Sequence, residues 1–438
     1  MFKKMIDAFR VKDIRRKLFF VFICLVIIRV GSQIPVPGVN RSFFKEWFES
    51  NAGDAFNFFD AFTGGSFSSM SILALSITPY ITSSIIIELL TIAIPALEEM
   101  QRDGEDGRKK MIAITRYLTV GLSLFESIAM TVGFGNQGLI SNMNFLKGLT
   151  TVVCLTAGSC FLMWIGEQIT EFGVGNGISM VLLINIVSRL PQDLSTLFES
   201  FVKGKTIARG ALALLIIAAI IILVVVLVVI LEGAQRQIPV QYSKKTVGRR
   251  MIGGQSTHIP LKLNTAGVIP VIFASSIMSF PGIIATFAGK SSVGGFWGTV
   301  LGCLSESNWF DFSRPVYSIG LIIYIVLVIF FAYFYTSITF NPIEVADNMK
   351  KQGGFIPGIR PGKPTQEYLT KILNSVIFIG AVALVIIAII PFFFNGVFNA
   401  SVSFGGTSII IIVGVLLETV KQIESMMVVR NYRGFLSE

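Results

Sequence analysis

The chain has 438 residues, of which 53% are hydrophobic and 14% charged, and a formal net charge of +10. Ordinary soluble domains carry roughly 25% charged residues, so a water-soluble fold has too little polar surface to cover this much apolar side chain. Apolar runs recur from Leu18 to Val429 without a long polar interval, which excludes a string of soluble domains and predicts one membrane-embedded domain.

In chain order, residues 1–17 are basic, and Phe2, Ile6 and Phe9 fall on one helical face, as in a helix lying on an anionic lipid surface. The apolar run that follows ends at Ile34-Pro35-Val36-Pro37-Gly38 without a small-residue cleavage site, so it is read as a first span and not as a removed signal. Spanning segments are predicted near 18–36, 72–94, 111–134, 149–166, 177–190, 211–231, 265–288, 316–338, 372–394 and 407–427. The clearest, Ala211 to Leu231, holds no charge. At a rise of about 1.5 Å per residue it crosses a hydrocarbon core of roughly 30 Å. The fold class is therefore an all-α integral membrane protein with ten transmembrane helices. Lys and Arg collect in residues 1–17 and in alternate loops, which puts both termini in the cytoplasm and the excess positive charge against anionic lipids.

Before the second segment lies Phe62-Thr63-Gly64-Gly65-Ser66-Phe67-Ser68-Ser69-Met70-Ser71, too short and Ser-rich to span, with two glycines for a hinge. It reads either as a short re-entrant helix occupying a cavity or as an external loop. The second, fifth, seventh and tenth segments are short or interrupted, the seventh by Pro270, Ser275, Ser276, Pro281 and Gly282. Such breaks occur where a segment lines a water-filled cavity or where helices pack through small residues. Of the ionisable groups in or beside segments, Arg29, Arg116 and Lys421 have the reach to snorkel to the interface. Glu418 lies within the tenth segment. Glu88 and Glu126 sit deeper, where a proton-coupled carrier would place carboxylates.

Familiar catalytic chemistry is missing. Cys24, Cys154, Cys160 and Cys303 are scattered, and His258 is the sole histidine, so no metal site, disulfide framework or His-based catalysis is expected. Gly173-Val174-Gly175-Asn176-Gly177 follows no predicted strand, and no Walker-type phosphate loop occurs. No cofactor is expected. The driving free energy must come from a partner or an ion gradient, which leaves a passive channel, a secondary transporter or a scaffold.

The interrupted segments carry strings that resemble the SecY family of protein-translocation channels from about Arg15 to Met427. Among them are Arg29-Val30-Gly31-Ser32, Pro79-Tyr80-Ile81, Gly166-Glu167-Gln168-Ile169-Thr170-Glu171, Gly175-Asn176-Gly177-Ile178-Ser179, Gln255-Ser256-Thr257-His258-Ile259-Pro260-Leu261-Lys262, Ala266-Gly267-Val268-Ile269-Pro270, Gly358-Ile359-Arg360-Pro361-Gly362 and Gly405-Gly406-Thr407-Ser408. The resemblance implies two pseudo-symmetric five-helix halves, residues 18–190 and 211–427, joined by an external connector at 191–210 and flanked by the basic N-terminal helix and a cytoplasmic tail at 428–438. It implies an hourglass pore between the halves and a lateral gate where the second and seventh helices meet.

By the same resemblance the pore ring is Ile81, Ile85, Leu182, Ile186, Ile272 and Ile411, an apolar constriction that resists wetting. The plug spans about 62–72 and includes Phe62, Gly64, Gly65, Ser66, Phe67, Ser68, Ser69 and Met70. Cytoplasmic loops 232–264 and 339–371 would dock a SecA-type ATPase or the ribosome through Lys244, Lys245, Arg249, Arg250 and Arg360, the basic groups meeting ribosomal RNA phosphates or acidic protein surfaces. Further implied partners are SecE-type and SecG-type small membrane subunits and the signal sequences of preproteins, in a bacterial cytoplasmic membrane. A secondary transporter, the runner-up, needs polar groups converging on a substrate, whereas this ring is wholly apolar. A membrane hydrolase lacks a paired nucleophile and base.

Overall fold

In the computed structural model the described residues are 9–51, 60, 62–135, 140, 144–201, 207–242, 245–247, 250–252, 256–287, 295–305, 308–310, 315–398 and 406–435. Residues 1–8 of the expected surface helix lie outside them. The helices are α1 Lys12–Gly31, α2 Arg41–Asn51, α3 Thr78–Ala93, α4 Pro95–Arg102, α5 Gly104–Phe134, α6 Phe145–Phe172, α7 Gly177–Phe201, α8 Ile207–Gly233, α9 Ile269–Phe287, α10 Phe296–Leu304, α11 Ile319–Thr339, α12 Pro342–Lys351, α13 Lys363–Phe398 and α14 Gly406–Phe435. Strands β1 Gln235–Tyr242, β2 Lys245–Val247, β3 Arg250–Ile252 and β4 Ser256–Lys262 lie between α8 and α9, and β5 Gly354–Phe355 lies between α12 and α13.

Each of the ten expected segments coincides with one of α1, α3, α5, α6, α7, α8, α9, α11, α13 and α14. Among the described residues five helices are by themselves long and apolar enough to cross a membrane, and six if the bent pair α3–α4 counts as one span. Helices α1, α7 and α14 are diluted by charged and polar residues. Helix α1 opens on Lys12, Asp13, Arg15, Arg16 and Lys17, inside the basic stretch assigned to a separate surface helix. The bend of 106° between α3 and α4 follows from Pro95, which has no N–H to continue the ladder and opens α4. Helix α7 continues through Pro191 to Phe201 and α8 begins at Ile207, so residues 191–201 and 207–210 of the stretch read as an external connector are helical.

The chain divides into two compact units. One holds residues 1–195, 282–293 and 415–438, the other 196–281 and 294–414. In the first unit α5 packs on α6 through small hydroxyl residues. Thr115, Thr119, Ser123, Ser127 and Thr131 recur every fourth position and are all buried. Thr115 and Thr119 donate to the carbonyls of Met111 and Thr115 at 2.9 and 2.7 Å, so hydroxyls face hydrocarbon with a partner, and Ser127 meets Thr156 of α6 at 3.0 Å. The glycine-dense turn between α6 and α7 is a close-packing device. A Cβ on Gly177 would stand 1.8 Å from the Gly166 carbonyl oxygen, and Gly175, at φ +91°, donates its N–H to Gln422 Oε1 of α14 at 2.8 Å.

Among the described residues of the second unit two apolar cores stand out beside a smaller cluster of Ala332, Leu373, Ile377 and Ala381. Val228, Val271, Ala274, Met278, Tyr324, Val328, Leu384 and Ile410 form the membrane core, closed at one end by Trp309, whose indole donates to the Cys303 carbonyl at 2.9 Å. Cys303, expected in a plain connecting stretch, is thus part of α10. The other core belongs to the sheet described below.

Candidate functional site

The Ser-rich segment before α3 is neither a helix across the membrane nor an exposed loop. From Gly64 to Ile77 it is a chain of turns. Thr63, Ser66, Phe67, Met70, Ser71, Leu73, Ala74, Leu75, Ser76 and Ile77 are each at most 4% exposed. Its polar groups are satisfied internally, as burial requires: Ser68 and Ser69 donate their hydroxyls to the Gly65 carbonyl at 3.2 and 2.5 Å, and Thr63 Oγ1 accepts from the Phe67 N–H at 3.1 Å. The external-loop alternative is thereby displaced.

The rest of the first unit forms its seat. The Ile72 N–H donates to Ile34 O at 2.9 Å and the Val36 N–H to Met70 O at 3.0 Å, tying the segment to the Ile34–Gly38 string. Gly158 of α6 lets the chain come close, since a Cβ there would be 1.8 Å from Ile72 O. Arg29 Nη1 donates to Gly64 O at 3.4 Å, turning inward where snorkelling was expected. From α7, Ser188 Oγ reaches the same carbonyl at 3.5 Å and Asn185 Nδ2 donates to Ser76 Oγ at 2.9 Å. Phe67 lies edge-on to Phe44 and Phe48 of α2, with ring centroids 5.7 and 6.0 Å away. An ion pair unforeseen in the sequence joins Asp60 to Arg189 of α7.

The ring residues fall on four helices. Ile81 and Ile85, half-buried, stand one turn apart on α3, and Leu182 and Ile186, buried, one turn apart on α7, both in the first unit. The Asn185–Ser76 bond ties this turn of α7 to the residue two before α3 begins. Ile272 is half-buried on α9 and Ile411 buried on α14, both in the second unit.

The two long loops of the second unit form one small domain. β1 pairs antiparallel with β4 from Gln235↔Lys262 to Gln241↔Ser256, and its last two residues pair with β5, giving the order β4-β1-β5. Pro239 sits where β5 does not reach, paired with His258 of β4 alone. Ile238, Val240 and Leu261 pack with Ala346, Met349, Ile356 and Leu369. Beyond β5, Gly358 at φ +83° and Gly362 at φ +106° set the turns that hold Arg360 out, exposed, while its carbonyl accepts from Thr365 Oγ1 at 2.8 Å. Lys245 and Arg250 lie in the β2–β3 hairpin, and Lys244 and Arg249 lie outside the described residues.

Arg116 makes a 2.7 Å ion pair with Glu167 of α6, so it too has a protein partner, whereas Lys421 is exposed. His258 is exposed on β4 opposite Pro239. No group of metal-ligating side chains occurs among the described residues.

The family model SecY matches residues 71–420 of this chain. The chain belongs to the SecY family. Among curated relatives, the protein translocase subunit SecY of Halalkalibacterium halodurans is 43% identical over 443 residues, covering 100% of both chains. That of Streptomyces galbus is 44% identical, covering 98% of both. In fold the chain is similar to a solved protein-conducting channel, with TM-score 0.62 at 18% identity over 93% of this chain and 91% of that one. It is likewise similar to a SecY channel whose plug domain is described as stabilising the closed state and maintaining a membrane seal, with TM-score 0.61 at 20% identity over 93% and 91%. The idle yeast Ssh1 complex bound to the yeast ribosome gives TM-score 0.61 at 16% identity over 92% and 89%. This SecY-family chain is thus a multi-pass membrane protein with the fold of solved protein-conducting channels.

Proposed function

We propose that this SecY-family chain is the central pore-forming subunit of a bacterial protein translocase, conducting unfolded polypeptides across the membrane and releasing apolar segments into lipid through a lateral gate. The observation that carries the reading is end-to-end similarity to bacterial protein translocase subunits SecY, at 43% identity with no part of either chain left over. Work comes from outside the chain, from a SecA-type ATPase or a translating ribosome docked on the domain that carries Arg360 and the β2–β3 hairpin, and both termini face that cytoplasmic side. SecE-type and SecG-type subunits complete the complex.

In this reading Ile81, Ile85, Leu182, Ile186, Ile272 and Ile411 form the constriction. Branched aliphatic side chains suit that task, because they shed water when closed and break no fixed polar contact when a chain passes. Residues 62–72 form the plug. Its burial among turns with few ties of regular secondary structure supports a part that seats and leaves as a body. The test is reconstitution of the full chain with its copurifying small subunits in liposomes, supplied with the motor ATPase, ATP and a preprotein. Protease-protected preprotein that depends on this chain supports the proposal. Small-solute uptake without protein transport would overturn it.

A further inference from the structure

We propose that the Asp60–Arg189 pair is a latch that holds the plug segment on α7 and thereby sets the threshold a signal sequence must overcome to open the channel. The inference rests on the plug reading of residues 62–72 and adds to it the group that regulates the plug.

The argument starts from where the two charges lie. The Asp60 side chain is 2% exposed and that of Arg189 13%. Burying an ion pair is unfavourable unless geometry and extra hydrogen bonds compensate, so pairs of this kind are better suited to specifying an arrangement than to adding stability. The extra bonds are present, and they define what is specified. One carboxylate oxygen of Asp60 accepts the Ser68 N–H at 2.8 Å and faces Thr63 Oγ1 at 3.5 Å, while its backbone carbonyl accepts from Thr63 Oγ1 at 3.1 Å and from the Gly65 N–H at 3.2 Å. The other carboxylate oxygen pairs with Arg189 Nη1. A single carboxylate thus organises the turns of the plug with one oxygen and ties them to α7 with the other.

Arg189 is held from its far side by Asp193, one turn along α7, at 3.7 Å. The guanidinium therefore keeps a partner on its own helix when the plug leaves. The Asp60 carboxylate travels with the plug and has to be rehydrated outside. Closing is favoured by charge pairing, and opening leaves no buried cation stranded. This asymmetry is what a reversible latch needs, and it distinguishes the pair from the neutral contacts of Gly64 and Ser76 with α7.

Removing one member is predicted to act more strongly than removing both. Arg189→Gln leaves the Asp60 carboxylate buried beside an amide and should raise the resting open population on the order of 100-fold. Asp60→Asn keeps an acceptor for the Ser68 N–H and leaves Arg189 with Asp193, so its effect should be smaller, about tenfold. The double variant Asp60→Asn/Arg189→Gln pairs two amides and should leak less than Arg189→Gln alone. Arg189→Lys retains the charge and should stay close to wild type.

The experiment measures resting ion leak and transport of a preprotein with a crippled signal in proteoliposomes holding the full chain and its small subunits. Both are normalised to channel abundance, beside a deletion of 62–72. The latch predicts the order Arg189→Gln, then the double variant, then Arg189→Lys, with transport of the crippled substrate rising in the same order as leak. If Arg189→Gln does not accumulate, Asp60→Asn carries the test, and a leak equal to wild type overturns the latch. If the deletion leaks and the substitutions do not, the plug stands and the latch is wrong. If neither leaks, the plug reading falls and the latch with it. A double variant as leaky as Arg189→Gln also overturns the pairing.

Discussion

Truncating Phe67 to Ala isolates the seat of the plug from its backbone. Phe67 is 4% exposed and lies edge-on to Phe44 and Phe48, within a cluster that includes Val36, Met70, Leu75 and Phe134. Its N–H bond to Thr63 Oγ1 does not involve the side chain, so the local turn survives the substitution. Emptying a fully buried phenylalanine site costs about 3 kcal/mol at the low end. If the segment leaves its seat when the channel opens, the ring is out of the pocket in the open state and the whole cost falls on the closed state. At about 1.4 kcal/mol per tenfold, the resting open population rises roughly 100-fold. The assay is ion efflux from proteoliposomes without substrate, normalised to channel number, with the thermal midpoint of the detergent-solubilised complex alongside. A leak within about twofold of wild type together with a lower midpoint would refute the reasoning, since Phe67 would then belong to a core that stays put during opening.

Four further substitutions probe the other parts of the site. Arg360→Glu reverses an exposed charge on a fixed turn and should reduce motor-driven transport at least about tenfold with abundance unchanged, as read by in vitro translocation against membrane immunoblots. Ile85→Asn and Ile411→Asn should ease wetting of the constriction, raising leak and transport of a preprotein with a defective signal. On a merely packed surface the same polar groups lower abundance and transport together. Gly158→Ala sets a Cβ against Ile72 O and should lift the end of the plug segment off α6. Single-channel recording should show more frequent spontaneous openings while α6 itself, an alanine-tolerant helix, remains intact.

The helices were legible because hydrocarbon imposes a simple demand: every backbone group must be satisfied within the segment, so long apolar runs have one solution. Ala211 to Leu231 required no other information. Less legible was Phe62–Ser71, whose serines read as solvent-seeking. They are buried because their hydroxyls close on carbonyls a turn away, such as Gly65 O, a geometry that composition does not encode. The Asp60–Arg189 pair joins positions 129 apart, Asp60 ahead of the Ser-rich segment and Arg189 at the end of the fifth expected span, so nothing local marked it. Arg29 and Arg116 followed the snorkelling rule in sequence, yet they meet Gly64 O and Glu167 because neighbouring segments bring partners within reach. The β4-β1-β5 sheet was hidden for a related reason. β5 is two residues long and pairs with a strand more than a hundred positions earlier, although the alternation around Ile238 and Val240 was a usable sign of a one-sided strand. The ring residues are aliphatic like their neighbours, so only the family resemblance singled them out.

The central claim is that a polypeptide in transit passes the six ring residues, and site-specific crosslinking tests it most directly. A photoreactive amino acid would be placed singly at Ile81, Ile85, Leu182, Ile186, Ile272 and Ile411, with exposed Phe125 and Phe378 as controls, in a complex holding a preprotein stalled midway by a folded C-terminal domain. The account predicts adducts to the stalled chain from all six ring positions and none from the two controls. Adducts from the controls with none from the ring would contradict it.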